Sequence, residues 1–354
     1  MSEKLITLSE FLKLRETLPI LDARSESEFI QSHIPGALNL PILNDGEREI
    51  VGTLYKQEGN ESAVLKGFEL VGPRFHQIQK EVLLNYPDKK ILLYCWRGGM
   101  RSQILSWLLG MVGFEVFRLK GGYKTYRTFT YERVRKPYNF IVLGGKTGTG
   151  KTVLLKALED KGEQVVDLEG LAHHRGSSFG GIGQEKQPSV EQFENLLAER
   201  LIQLDQIHPI WIENESRNIG KVTLPDGIFQ QILTAPIIKI SKTEAERITH
   251  IEEEYASLPK EELKSAILRL SNKLGGLRTT EALEDLEMGR HRSWIENMLV
   301  YYDKTYGFDL NKPIRQHELS LDLSQIPLSE ACQNLLKIKN DINAKSGNQT
   351  DTVE

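Results

Sequence analysis

Short apolar runs alternate with amphipathic stretches through the first third of the chain, a pattern that predicts strands interleaved with helices. Residues 19–22, 90–94 and 116–119 are compact enough for buried strands, 33–40 passes from loop into strand, and 25–32, 75–84 and 102–112 have helical length and spacing. Such alternation predicts a parallel sheet covered by helices. Lys136, Pro137 and Tyr138 interrupt the pattern, and a second strand-to-helix sequence opens at 140–143. Further strands fall at 164–168, 209–213 and 237–240, with an amphipathic helix over 190–204; beyond Thr243 the chain reads as charged helix to about Tyr302. The expectation is an α/β protein: a parallel-sheet domain over 1–136, a second α/β core over 137–242, a helical extension over 243–339 that also completes the second domain, and a flexible polar tail over 340–354.

Length agrees with this division, since 354 residues is roughly two domains at ~150 residues each. The composition, 27% charged with no excess of Pro, Gly or aromatics, is that of an ordinary globular chain. A net charge of -4 argues against a general nucleic-acid binder and leaves room for one local basic surface. Cys95 and Cys332 are the only cysteines and lie far apart, so neither a disulfide framework nor a cysteine zinc site is expected, and a reducing compartment is favoured. Residues 1–14 carry charges throughout, and the most apolar run, 104–114, is far short of the ~20 residues a bilayer requires. A cytoplasmic protein without membrane insertion is expected.

Cys95 closes the apolar run Leu92-Leu93-Tyr94 and is followed by Trp96, Arg97, Gly98, Gly99, Met100, Arg101 and the start of a helix. Loop amides, a helix N-terminus and two arginines all favour a thiolate, so Cys95 is the candidate nucleophile. A core cysteine needs neither the glycines nor the arginines; Cys332 lacks such a setting and reads as core.

The stretch Gly145-Lys146-Thr147-Gly148-Thr149-Gly150-Lys151-Thr152 fits G-x4-G-K-[ST] between an apolar strand and a helix. Gly145, Gly148 and Gly150 let backbone amides approach phosphate oxygens, Lys151 supplies charge at the outer phosphates, and Thr152 is a candidate magnesium ligand. Glu213 is the candidate acidic partner at a later strand end, with Glu215, Asp167 and Glu169 also considered. The segment 171–183 holds His173, His174, Arg175 and four glycines. Adjacent histidines suit one metal poorly, and the glycines read as a mobile loop closing over substrate, with Arg175 a candidate substrate contact. No metal is firmly assigned.

With Ile20-Leu21-Asp22-Ala23-Arg24, Glu28-Phe29 and His33-Ile34-Pro35-Gly36-Ala37-Leu38-Asn39, the segment 7–135 resembles the rhodanese homology domain, in which the cysteine carries sulfur or selenium held by loop amides. The spacing here, Cys-x5-Arg, is one residue longer than in common sulfur-carrying rhodaneses and is shared with cysteine-dependent phosphatases. The motif alone leaves chalcogen transfer and phosphate ester hydrolysis both open. A rhodanese-like domain followed by a P-loop NTPase-like α/β domain carrying 211–217 is a narrower combination, and nearly the whole chain resembles the tRNA 2-selenouridine synthase family.

That resemblance implies replacement of sulfur by selenium at C2 of the wobble 2-thiouridine in tRNAs for Lys, Glu and Gln. It also implies an S-geranyl-2-thiouridine intermediate, with geranyl diphosphate and selenophosphate as cosubstrates, no tightly bound cofactor, and an enzyme supplying selenophosphate as a further partner. The local basic surface best placed for tRNA is 120–136, where Lys124, Arg127, Arg133 and Arg135 alternate with Tyr123, Tyr126, Phe129 and Tyr131. An interdomain connector with inward-packed aromatics explains that stretch equally well, and the basic stretch 290–292 is weaker. The alternatives are a cysteine-dependent phosphatase fused to a nucleotide-binding kinase-like domain, and a nucleotide-gated binding module with Cys95 as redox sensor.

Overall fold

The computed structural model describes residues 2–309 and 317–347. The chain divides into two compact units, Met1–Arg133 with Glu194–Glu199, and Val134–Phe193 with Arg200–Glu354.

In the first unit β1 (Ser2–Ile6), β2 (Ile20–Asp22), β3 (Ala37–Asn39), β4 (Lys90–Tyr94) and β5 (Glu115–Leu119) form an all-parallel sheet in the order β1-β5-β4-β2-β3. Successive residues of β4 point to opposite faces. Ile91 and Leu93 join a core with Val82, Leu105 and Leu109, while Leu92 and Tyr94 join another with Phe11, Tyr123 and Tyr126. Burial on both faces is why this strand reads as an unbroken apolar run. β1 was not expected: it is an edge strand whose Glu3 and Lys4 pair with Arg118 and Glu115 of β5, and charge at a sheet edge masks strand character. The helix Asp45–Gln57 also escapes the pattern, since it contributes no buried residue.

In the second unit β6 (Phe140–Gly145), β7 (Gln164–Val166) and β8 (Ile210–Glu213) precede a hairpin of β9 (Asn218–Ile219) and β10 (Val222–Thr223), then β11 (Ile237–Ser241) and β12 (Glu318–Asp322). The five-stranded sheet has the order β12-β11-β6-β8-β7, all parallel, with β6 central and wholly buried. The helices Lys151–Glu159 and Leu328–Gly347 cover one face through Leu154, Leu158, Cys332 and Leu335. Helices Glu244–Tyr255, Lys260–Arg269, Gly276–Glu287 and His291–Asp309 make a bundle around Ile248, Leu263, Ile267, Leu286 and Trp294.

Two boundaries differ from expectation. The division falls at Arg133/Val134 rather than after Lys136, because Val134 is buried and the Lys136 carbonyl accepts from Gln231 in the second unit. Residues 340–347 are not a flexible tail but the last turns of Leu328–Gly347; Ile342 extends the apolar stripe of Leu335 and Ile338. The remainder of the expected tail lies outside the described residues.

Candidate functional site

Cys95 follows the last residue of β4, and its side chain is only 3% exposed. The loop after it is clamped from one side. Tyr123 N–H donates to the Cys95 carbonyl at 2.8 Å, Lys124 N–H to that of Trp96 at 2.9 Å, and Arg118 Nη1 to that of Gly98 at 2.6 Å. A trans peptide carries its N–H opposite its C=O, so the amides of Trp96, Arg97 and Gly99 point to the other side, the arrangement of an anion cradle. The clamp requires close backbone approach. Gly122 has φ +61°, and a Cβ there would sit 2.2 Å from the Cys95 oxygen and 2.4 Å from Gly98 N.

The two loop arginines differ. Arg97 is exposed, whereas Arg101 is ion-paired with Glu28, which also receives Arg48 Nε at 3.1 Å. Burial opposes the charge on Glu28, but the hydrogen bond and charge of Arg101 prevail and hold it below its ordinary value. Arg101 therefore brings no uncompensated charge to the sulfur, contrary to the expectation from spacing. Trp96 and Met100 lie exposed on the loop. Arg24, absent from the expected site residues, is almost fully buried. It holds Asp22 at 2.6 Å and the Ser32 carbonyl at 2.6 Å, and its guanidinium lies 4.1 Å from the Tyr123 ring and 5.9 Å from that of Trp96. Ser102, also missed, places Oγ 3.2 Å from Cys95 Sγ.

The four residues expected to meet tRNA differ in their surroundings. Lys124 is exposed beside the cysteine loop, Arg127 is paired with Glu194, Arg133 lies over the Phe129 ring, and Arg135 belongs to the second unit. Tyr123 and Tyr126 are fully buried and offer no stacking surface, because both are needed in the core beneath the sheet; Tyr131 remains exposed. Arg290 and Arg292 are paired with Asp285 and Glu252.

In the second unit the loop 145–150 follows β6 and opens the helix Lys151–Glu159, with left-handed Gly150 as its N-cap. Gly148 has φ +83°, and a Cβ there would meet the Arg247 carbonyl at 2.8 Å. Arg247 itself donates to the Thr147 carbonyl at 2.8 Å and is held by Asp303, which also takes Lys146 at 3.0 Å. Lys151 Nζ rests on the Gly145 carbonyl at 3.0 Å, and Thr152 Oγ1 lies 3.3 Å from Glu169 Oε2.

The acidic candidates converge. Glu213 ends β8, accepts from Glu169 N–H at 2.9 Å through Oε1, and leaves Oε2 buried without a partner among the described residues. Burial, then the charges of Asp167 and Glu169, push its carboxyl well above the ordinary value. Burial and the charge of Glu215 push Glu169 up to about 8, and burial raises Glu215 as well. Among the described residues no three His, Cys, Asp or Glu side chains group to hold a metal.

A cavity of about 720 Å³ is lined by Glu169 and Glu215 together with the P-loop. Its lining is mixed: Lys151, Thr152, Glu169, Glu215 and Arg175 are polar, and Phe229, Leu233, Ile251, Tyr255, Tyr301 and Tyr302 are apolar or aromatic. Arg175 Nη1 is buried there without a partner among the described residues, and its guanidinium lies 5.5 Å from the Tyr255 ring. The loop carrying Arg175 is pinned rather than free, contrary to the expectation from its glycines. Phe179 and Ile182 enter the helical core, and Ser178 N–H donates to Tyr302 OH at 3.1 Å.

Residues 138–328 match the tRNA 2-selenouridine synthase AAA domain family, and residues 7–128 the rhodanese-like domain family. Among curated relatives, a tRNA 2-selenouridine synthase of Nitrosomonas europaea is 36% identical, covering 81% of this chain and 88% of the relative. One from a Sulfurovum species is 36% identical, covering 83% and 89%. One from Pseudomonas putida is 33% identical, covering 88% and 93%.

Proposed function

The chain belongs to the tRNA 2-selenouridine synthase family, and on that premise we propose that it exchanges sulfur for selenium at C2 of wobble 2-thiouridine in tRNAs for Lys, Glu and Gln. The exchange has two stages. First the thiouridine sulfur attacks C1 of geranyl diphosphate; the C1–O bond breaks, pyrophosphate departs and the N3 proton is released. Selenium originating in selenophosphate then adds at C2 and geranylthiol leaves. Alkylation converts a poor leaving group into a better one, and a cradle for the departing pyrophosphate acts where charge develops.

The observation that carries this reading is the cavity of the second unit, lined by both charged and apolar or aromatic residues. A diphosphate head fits Lys151 and the amides of 145–152, Arg175 adds a second cation, and a hydrocarbon chain fits against Phe229, Ile251 and Tyr255. Magnesium accompanying the diphosphate would draw on Thr152 and Glu169 and take its other ligands from phosphate and water, supplying further neutralisation of the leaving group. In the first unit the amide cradle at Cys95 holds selenophosphate while the P–Se bond breaks, phosphorus leaving with water as phosphate and selenium leaving at selenide level for C2, with Lys124 and exposed Trp96 offering charge and a ring to the tRNA. The selenophosphate-producing enzyme is the natural supplier, and both substrates place the reaction in the cytoplasm. No helix among the described residues is long and apolar enough to cross a membrane. The phosphatase alternative loses support because Arg101 is engaged by Glu28.

Replacing Lys151 tests the first stage. Lys151→Ala should cut geranylation of thiolated tRNA by at least roughly 100-fold, the scale on which losing a charged transition-state contact is felt. Geranylation at the unaltered rate would remove the P-loop from the reaction.

A further inference from the structure

We infer that Ser102 is a catalytic residue at Cys95, its hydroxyl turning from the Gly99 carbonyl to the sulfur when the thiol gives up its proton. The inference rests on the reading of Cys95 as the reacting group and deepens it.

Ser102 occupies the first turn of the helix Met100–Gly110 and is fully buried. Its Oγ lies 3.2 Å from Cys95 Sγ and 3.1 Å from the Gly99 carbonyl oxygen, while Sγ is 3.8 Å from that oxygen. With the thiol neutral, the groups form a chain: S–H donates to the hydroxyl, and the hydroxyl donates to the carbonyl. Loss of the thiol proton to a solvent base changes the balance. One O–H then faces two acceptors, an anionic sulfur and a neutral carbonyl, and a hydrogen bond to the charged acceptor is roughly twice as strong. The hydroxyl turns to the sulfur. The Gly99 carbonyl also accepts from Gln103 N–H at 3.1 Å, so the exchange leaves no acceptor unpaired.

Serine in a first helical turn often bonds the carbonyl three residues back without further consequence. The close approach of Sγ separates Ser102 from that ordinary role. Neither arginine competes for it, since Arg101 is held by Glu28 and Arg97 stands in solvent. The arrangement supplies a donor that follows the charge on sulfur, available to the thiolate before it reacts and again when sulfur becomes a leaving group.

The test is the pH dependence of iodoacetamide alkylation at Cys95 in the full-length protein, followed on the Cys95 peptide by mass spectrometry. Ser102→Ala should move the alkylation midpoint up by about one pH unit and slow the reaction at pH 7 roughly tenfold, the effect of losing one hydrogen bond to a charged group. Ser102→Thr, which keeps the hydroxyl, should restore the profile. Ser102→Gly carries the same prediction if the alanine variant does not fold. A midpoint unchanged in Ser102→Ala would reduce Ser102 to a helix contact and overturn the inference. The measurement uses neither tRNA nor selenium, so it stands whether or not the selenium reading does.

Discussion

Glu213 illustrates what a single buried group does to this protein. Its carboxyl lies well above the ordinary value because burial and the charges of Asp167 and Glu169 oppose ionisation. A carboxyl raised in the folded state binds more protons folded than unfolded. Its stabilising contribution is therefore complete below the unfolded value and is lost as pH rises toward the folded one. Glu213→Gln keeps an acceptor for Glu169 N–H and cannot ionise. Its melting temperature should differ little from the parent near pH 5 and exceed it by several degrees at pH 8, at ~2–4 °C per kcal/mol for a chain this large. A variant melting below the parent at pH 8 would contradict the protonated assignment. Some pH dependence should persist, since Glu169 and Glu215 are raised in the same direction. At this scale the sequence identifies Cys95, Lys151 and Glu213 through motif and strand end. Arg24 and Ser102 stay hidden, because their importance comes from Tyr123 and Sγ, neighbours that only folding supplies.

Elements differ in how openly they are written. β4 and β6 are buried on both faces and read directly as apolar runs, which is why the loops that follow them could be placed. β1 and β12 are edge strands of mixed polarity, and the two-residue strands of the hairpin are too short for any period to show. The helix Leu328–Gly347 shows only weakly in the sequence because its outer face is polar, although Leu335, Ile338 and Ile342 keep helical spacing inward. The cysteine loop makes its own element-level prediction. Gly122→Ala combines positive φ with a Cβ driven into the Cys95 carbonyl, and should cost at least about 2 kcal/mol in urea unfolding while altering alkylation at Cys95. Gly99→Ala has a negative φ and open space within 4 Å, and should change stability by no more than about 0.5 kcal/mol. Equal losses in the two variants would contradict the clamp.

The whole molecule pairs a cysteine loop in one unit with a P-loop cavity in the other, and each unit has its own sheet and core. Sequence pattern reached this division because both nucleating loops follow central parallel strands, the usual location of sites in such sheets. The cavity's aromatic lining was not legible, since Tyr255, Tyr301 and Tyr302 come from helices distant in sequence from the P-loop. In the basic stretch 120–136 alternation in sequence does not show which residues of a helix the core claims, and Tyr123 and Tyr126 prove to be buried.

The most direct measurement is nucleoside mass spectrometry of 2-thiouridine-containing tRNA incubated with the purified protein, geranyl diphosphate and selenophosphate, beside Cys95→Ala. The account predicts 2-selenouridine with the parent protein, and S-geranyl-2-thiouridine accumulating without selenium in the variant. Thiouridine left unchanged by folded parent protein would contradict the selenium exchange, and selenouridine formed at the parent rate by Cys95→Ala would contradict the role of the cysteine.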